Sequence, residues 1–385
     1  MSTYIPREVT PHLIKLAQQF PFVTVTGPRQ SGKSTLLRHT FPDYSYVSLE
    51  DVDYRTMAAE DPRGFIANFP DKTIIDEVQR VPSLLSYLQT HTDLKGENGM
   101  YLLAGSHNLL LMEKISQTLA GRTAIIKLLP FSISELREAD TLPSTLDECL
   151  FKGGYPRIFS SNLEPENFYP FYIQTYVERD VRTLKNIERL DLFLKFIRLC
   201  AGRVGQLLNI TSLATDIGVS MPTVQSWLSI LEASYICFLL PPYYENFSKR
   251  IIKTPKLYFY DTGLACSLLG IRSASDLSLH YAKGALFENM MITEKMKGYY
   301  NSVVPADLYF WRDSGGLEVD LLTVAGNGLE AYEIKSGATF NTSFFDNLKK
   351  WKKLTGTSEE RCNVIYGGDT DLATGSGRLI SWKNT

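Results

Sequence analysis

The segment Gly27-Pro28-Arg29-Gln30-Ser31-Gly32-Lys33-Ser34 constrains this chain more than any other, because it joins a short β-rich run, Phe22–Thr26, to a helical stretch at residues 35–40. Strand, glycine-rich turn and helix in that order make a loop whose backbone N–H groups can curl around phosphate, while the helix N-terminus adds its dipole. The spacing Gly-x4-Gly-Lys-Ser arises by chance in a chain of this length only about 1–2% of the time, so it is read as a P-loop. Lys33 is expected to reach the β- and γ-phosphates of ATP and Ser34 to bind Mg²⁺. Gly27, Pro28, Arg29, Gln30, Ser31, Gly32 and Thr35 complete the expected cradle.

Further β runs follow at residues 44–49, 72–75, 100–104 and 124–129, with helical segments between them. That alternation implies an α/β unit with a parallel sheet covered by helices on both sides, whose ligands sit at the carboxyl ends of the strands. Asp76 ends an apolar strand and is placed beside the magnesium. Glu77 is adjacent and suits a general base for the attacking water, or else is a surface acid after a strand. Ser106 and Asn108 follow the fourth run, where a polar side chain could sense the γ-phosphate or simply form a turn. Arg122 and Arg29 are candidates for contact with developing phosphate charge, and Arg122 could serve its own subunit, a neighbour, or structure alone.

A length of 385 residues implies two or three domains, and 44% apolar with 21% charged residues describes ordinary globular protein. The five cysteines show no CxxC pair and read as small buried hydrophobes in a reducing compartment. The longest apolar stretch, residues 236–242, is far too short to span a bilayer, so a soluble cytoplasmic protein is expected. A formal net charge of -2 provides no global attraction to nucleic acid. Lys249 and Arg250 with Lys253 and Lys256, and the lysine-rich run at 349–353, read as solvated surface.

Residues 132–199 are largely helical, interrupted near Gly153-Gly154-Tyr155-Pro156. At 210–235 two short helices around Gly218, followed by β-prone segments at 235–240 and 243–252, suggest a winged helix-turn-helix, with a plain helical hairpin as the alternative. In the last unit, β-prone runs carry Glu318-Val319-Asp320 and Glu333-Ile334-Lys335. Alternation puts Glu333 and Lys335 on one strand face, with Ile334 on the other. Asp320 and Glu333, joined by Glu288 from a preceding helix, could hold Mg²⁺ while Lys335 orients water or stabilises charge on a phosphodiester. The same triplet also fits an exposed ion pair.

Taken together, the P-loop, Ile75-Asp76-Glu77-Val78-Gln79, Leu103-Ala104-Gly105-Ser106, Leu119-Ala120-Gly121-Arg122, the run Leu257-Tyr258-Phe259-Tyr260-Asp261-Thr262-Gly263-Leu264-Ala265, Gly284-x3-Glu288-Asn289 and Glu333-Ile334-Lys335-Ser336-Gly337 span nearly the whole chain. In that order they resemble a large prokaryotic family of AAA-like P-loop ATPases with a C-terminal DUF4143 region. The resemblance implies a P-loop ATPase domain at 1–140, a helical connector at 141–204, a winged-helix segment at 205–254 and a C-terminal α/β domain at 255–385. That last domain resembles PD-(D/E)xK (restriction-endonuclease-like) nucleases, in which Glu288, Asp320, Glu333 and Lys335 match the metal acids and the catalytic lysine.

The expected function is Mg²⁺-dependent ATP hydrolysis coupled to remodelling of DNA or of a protein partner, with metal-dependent DNA cleavage as an added activity. The alternative is a regulatory switch acting on a protein with an inactive nuclease-like domain. A small-molecule kinase is disfavoured, because the Asp76-Glu77 pair suits water activation. A homo-oligomer is compatible with Arg122 acting in a neighbour. The second helix of the candidate reading head offers Thr223, Gln225 and Ser226 but no cation, which suits weak DNA contact or protein packing equally.

Overall fold

The structure is a computed structural model that describes residues 4–105, 118–176, 189–243, 252–326 and 328–385. Strands β1 (Phe22–Thr26), β2 (Ser45–Ser48), β3 (Thr73–Asp76), β4 (Tyr101–Gly105) and β5 (Thr123–Lys127) form a parallel sheet in the order β2-β3-β4-β1-β5. Its central strands β1 and β4 are buried on both faces because helices cover both. Phe22, Ile75 and Leu103 enter one core with Leu84 and Leu88, whereas Val23, Val25, Ile74 and Leu102 enter another with Leu36 and Leu37. This is the alternation expected of a strand with two dry faces.

Beyond the sheet, capping boxes at Ser132 with Glu135 and at Thr145 with Glu148 start the helices Ile133–Glu138 and Leu146–Lys152. The helices Pro156–Ser160, Pro165–Tyr172 and Leu190–Ala201 follow. Asn209 and Ser220 cap the helices Ile210–Ile217 and Met221–Ala233, with Gly218 in the left-handed conformation between them. Strand β6 (Cys237–Leu240) then pairs antiparallel with β7 (Lys256–Phe259). The partner of β6 is thus a run that the sequence reading assigned to the last unit. Most of the expected second wing strand, 243–252, lies outside the described residues. Three apolar or aromatic pairs explain the choice, since Cys237, Phe238, Leu257, Tyr258 and Phe259 are all buried in it.

The last sheet has the order β12-β13-β11-β10-β9-β8, built from β8 (Leu308–Arg312), β9 (Glu318–Ala325), β10 (Gly328–Lys335), β11 (Cys362–Tyr366), β12 (Leu372–Thr374) and β13 (Gly377–Ser381). β8, β9 and β10 form an antiparallel meander, after which β10, β11 and β13 run parallel. The helix Asp346–Thr355 covers one face through Leu348 and Trp351, packed on Trp311, Leu322 and Val364. Leu321, Tyr332, Ile334 and Ile365 point the other way, into a core shared with Leu286, Met290 and Met291 of the helix Lys283–Asn301. That core also contains Tyr155, Phe196, Leu231 and Tyr258, so the central helices and the last sheet bury one continuous apolar interior. All five cysteines are buried free thiols, as their spacing suggested.

Candidate functional site

The loop after β1 closes on itself. Gly27 has φ 148°, and a Cβ there would lie 2.1 Å from the Leu128 carbonyl oxygen, so only glycine allows this approach. Gln30, at φ 64°, and Gly32, at φ 92°, supply the further left-handed turns that aim successive N–H groups inward. Lys33 opens the helix Lys33–Thr40 and folds back, donating to the Gly27 carbonyl at 3.1 Å and the Pro28 carbonyl at 2.8 Å. Its burial lowers the ammonium pKa to about 8, with Glu77 and Asp76 opposing that shift. The Ser31 hydroxyl is buried with no protein partner, an acceptor and donor that a ligand in the loop could complete.

Across the loop, Ser34 Oγ donates to Asp76 Oδ2 at 2.6 Å, and Tyr46 Oη donates to the same oxygen at 2.9 Å. Burial and the neighbouring Asp76 push the Tyr46 hydroxyl up to about 12, so it stays a donor. Glu77 occupies the left-handed region at φ 54°, ψ 40°, an uncommon conformation for a residue with a side chain. Its backbone N–H donates to Asp76 Oδ1 at 3.0 Å, and its carboxylate accepts from Gln79. Burial raises its pKa, partly offset by Lys33. Arg29 reaches Glu50 at 3.3 Å, as does Arg80.

A cleft of about 520 Å³ opens over this loop. Lys33, Ser34, Thr35, Gln30, Arg29 and Glu77 line one side, Tyr4, Ile5 and His39 another, and Pro156, Arg157 and Ser160 of the next unit a third. Arg7 braces the loop from below: it donates to the Ser31 carbonyl at 3.0 Å, the Leu129 carbonyl at 2.7 Å and Glu135 Oε1 at 2.9 Å. From the central unit, Tyr172 Oη reaches the Arg29 carbonyl at 3.4 Å, and Tyr235 Oη meets Thr26 Oγ1 at 3.1 Å.

Arg122 sits at the start of β5, the end of the sheet opposite the loop, and pairs with Asp93 at 2.7 and 3.0 Å. The structure therefore separates it from the cradle of its own chain. Ser106 and Asn108, the expected phosphate sensors, lie outside the described residues.

The second constellation is drawn together in part. Glu333 and Lys335 share a face of β10 and are bonded at 2.6 Å. Lys335 also lies 3.9 Å from Asp320, which accepts the Ile334 N–H at 2.8 Å. Asn347 donates to Glu333 Oε1 at 3.1 Å, whereas Glu333 Oε2 is buried with no partner. Glu288 is bonded instead to Lys256, at 3.0 Å, and to Tyr258. Burial and Asp320 push Glu333 up to about 8 and Glu288 up to about 7. Burial lowers the Lys256 pKa, but Glu288, Glu318 and Asp320 outweigh it and the ammonium is held well above its ordinary value. Lys256 corrects the sequence reading: it is 3% exposed rather than solvated, because β7 is buried along its whole length and the carboxylates compensate its charge. Among the described residues, no group of three or more His, Cys, Asp or Glu side chains is gathered for a metal ion.

Three family models match in succession: an AAA domain at residues 19–137, a domain of unknown function (DUF8612) at 143–275, and a domain of unknown function (DUF4143) at 283–384. The uncharacterized proteins Rv2008c of Mycobacterium tuberculosis and Mb2031c of Mycobacterium bovis are each 30% identical over 368 residues, covering 94% of this chain and 80% of theirs. The chain and these relatives belong to one family. In this chain it is built as an AAA-type P-loop ATPase with DUF8612 and DUF4143 domains, and the general activity of that architecture is ATP binding and hydrolysis. Among solved structures, the Walker-type ATPase PABY2304 of Pyrococcus abyssi matches with 16% identity and a TM-score of 0.41, covering 68% of this chain and 94% of that one. AMPPCP-bound DnaA from Aquifex aeolicus matches with 15% identity and a TM-score of 0.30, covering 58% and 85%. Among the described residues, no helix is long and apolar enough to cross a membrane.

Sequence reasoning missed Arg7, Tyr46, Arg157 and Lys256. Arg157 carried one usable signal, its place just after the Gly153-Gly154-Tyr155-Pro156 interruption in the helical pattern.

Proposed function

We propose that this family member is an ATP-driven switch: its N-terminal site hydrolyses ATP, and the nucleotide state is passed through the central helices to the C-terminal unit, which engages a macromolecular partner. In this reading Lys33 and the loop amides hold the phosphates. Glu77 takes the proton of the attacking water as the terminal phosphoryl group leaves ADP. Ser34 and Asp76, already 2.6 Å apart, fit an oxygen-liganded Mg²⁺ and would hold it; when bound, the ion neutralises phosphate charge. Tyr46, which donates to the same Asp76 oxygen as Ser34, helps to fix its orientation.

One observation carries the coupling. The helix Lys283–Asn301 bears Glu288 in its first half, and its second half grips the exit of the ATPase sheet. There Glu294 accepts the Ile133 N–H at 2.7 Å, Lys297 donates to the Phe131 carbonyl at 2.7 Å, and Asn301 donates to Glu8 at 2.7 Å. A shift of residues 131–133 on nucleotide binding would therefore move this helix or break the hydrogen bonds that Glu294 and Lys297, a buried ion pair at 2.6 Å, make to the Ile133 N–H and the Phe131 carbonyl.

A protein partner is favoured over duplex DNA. The exposed positions of Met221–Ala233 include Met221, Pro222, Gln225 and Ser229, and no Arg or Lys stands on that helix to neutralise phosphate. The cleavage reading draws support from the order helix, three-stranded meander, helix and parallel strand around Glu333 and Lys335.

The test is phosphate release from ATP by the wild type, Lys33→Ala and Glu77→Gln, with nucleotide binding measured separately. Glu77→Gln should keep ATP binding and lose about 100-fold or more in turnover. Lys33→Ala should lose both. Unchanged hydrolysis by Glu77→Gln would remove the assigned base, and hydrolysis unaffected by Lys33→Ala would remove the site.

A further inference from the structure

Where β7 meets the last sheet, four acids, Glu288, Glu318, Asp320 and Glu333, are interleaved with Lys256, Arg312 and Lys335. A PD-(D/E)xK-like reading places a divalent cation among these carboxylates. The residues present do not fit one. Lys256 Nζ lies 3.0 Å from Glu288 Oε1 and is also paired with Glu318, so an ammonium stands between two of the acids.

We propose that Lys256 is the resident cation of this cluster, and that the C-terminal unit takes no divalent metal there while Lys256 is in place. Lys256 cannot swing away cheaply. Its strand pairs with β6, its backbone bridges Leu207, and its Nζ sits 5.4 Å over the Phe310 ring. Further donors hold these acids: Tyr258 donates to the same Glu288 Oε1, Arg312 Nη1 lies 3.1 Å from Glu318 Oε2, and Lys335 with Asn347 holds Glu333 Oε1, while Glu333 Oε2 is left without a partner. Four carboxylates already face three cations. With all four acids ionised, a divalent ion added to them would reverse the sign of the cluster, whereas it would balance four carboxylates facing only Arg312 and Lys335.

Lys256 comes from residues matched by the central domain model, and Glu288, Glu318, Asp320 and Glu333 from those matched by the C-terminal one. The contact is therefore an electrostatic clasp between the two, and a reason to expect no metal-dependent cleavage from the resting chain.

The test is Mn²⁺ titration followed by electron paramagnetic resonance, on full-length protein carrying Asp76→Asn to silence the acid of the nucleotide loop. With Lys256 intact, no ion should bind at up to about 1 mM. Lys256→Met should gain one ion per chain, at least about tenfold tighter than any residual binding, and Glu288→Gln on that background should abolish the gain. A folded Lys256→Met chain that gains no ion would count against the proposal. One Mn²⁺ bound by the Lys256-intact chain and lost on Glu333→Gln would overturn it, and that comparison stands even if Lys256→Met fails to fold.

Discussion

Arg7 provides the sharpest test of how the nucleotide loop is supported. Its guanidinium is buried, makes three hydrogen bonds and lies 4.8 Å over the Phe131 ring. Arg7→Ala leaves the carbonyls of Ser31 and Leu129 without that donor and removes the cation beside buried Glu135. Glu135 retains two backbone donors, Glu8 at 3.0 Å and Ser132 at 2.9 Å, which limits the loss. Breaking a buried pair on one side costs about 3–5 kcal/mol, and the retained donors place this case near the lower figure. The corresponding fall in Tm is roughly 6–12 °C for a cooperative unit of about 150–250 residues. Differential scanning calorimetry of Arg7→Ala, Glu135→Gln and the double variant should show the double variant less destabilised than the sum of the two, because each single change strands the other's partner. ATP affinity should fall with Arg7→Ala, since Ser31 lies in the loop. A Tm within about 3 °C of wild type, or strict additivity in the cycle, would refute the reasoning.

Other outcomes follow from the same geometry. Lys33 is held near pKa 8 in the free protein by burial, and phosphate needs it charged; above that pH binding must take up a proton. ATP affinity should therefore fall from pH 7 to pH 9.5 with calorimetric proton uptake, by at most about tenfold per pH unit, and Lys33→Met should show no such slope. Gly153→Ala places a Cβ 2.3 Å from Tyr169 Oη and 2.4 Å from Asp261 Oδ1, in a backbone region at φ 61°, ψ −156° that side chains avoid. It should cost at least about 1–3 kcal/mol in thermal unfolding, and Tyr169→Phe less; equal Tm values for Gly153→Ala and wild type would sink this account. Arg122→Ala should leave turnover per subunit unchanged at every protein concentration, because Arg122 is tied to Asp93 at the far end of β5. A loss that grows with concentration would instead put it in a neighbour's site.

The geometry of the candidate nucleotide site was legible in sequence where its parts are contiguous. Gly27 to Ser34 needs only a strand before it and a helix after it, and Asp76-Glu77 is marked by the apolar strand it ends. Glu333 and Lys335 were likewise placed on one face by alternation alone. Arg7 could not be read this way, since its carboxylate partner lies 128 residues on and an arginine before a helix looks like any surface cation. Lys256 was misread for a related reason. A lysine beside other basic residues is exposed unless acids distant in sequence compensate it, and Glu288 is 32 residues away across a tertiary contact. The pairing of β6 with β7 was hidden because several β-prone runs follow one another there, and burial of the Phe238–Tyr258 pair and its apolar neighbours rather than local turn chemistry selects the register.

The continuous interior joining the central helices to the last sheet bears on how such genes can be cut and recombined. A fragment beginning at residue 283 would expose Leu286, Phe287, Met290 and Met291, all now covered by residues from the preceding unit. It would aggregate more readily than it would fold. The ATPase sheet keeps its own two cores, so a crossover shortly after β5 leaves those intact and has to match the polar contacts of Arg7, Glu294, Lys297 and Asn301, those of Tyr172 with Arg29 and Tyr235 with Thr26, and the small apolar cluster of Ile5, Phe131 and Leu136. Exchange of the ATPase unit therefore disturbs polar contacts and one small cluster, whereas a cut between the two rear domains opens their shared core.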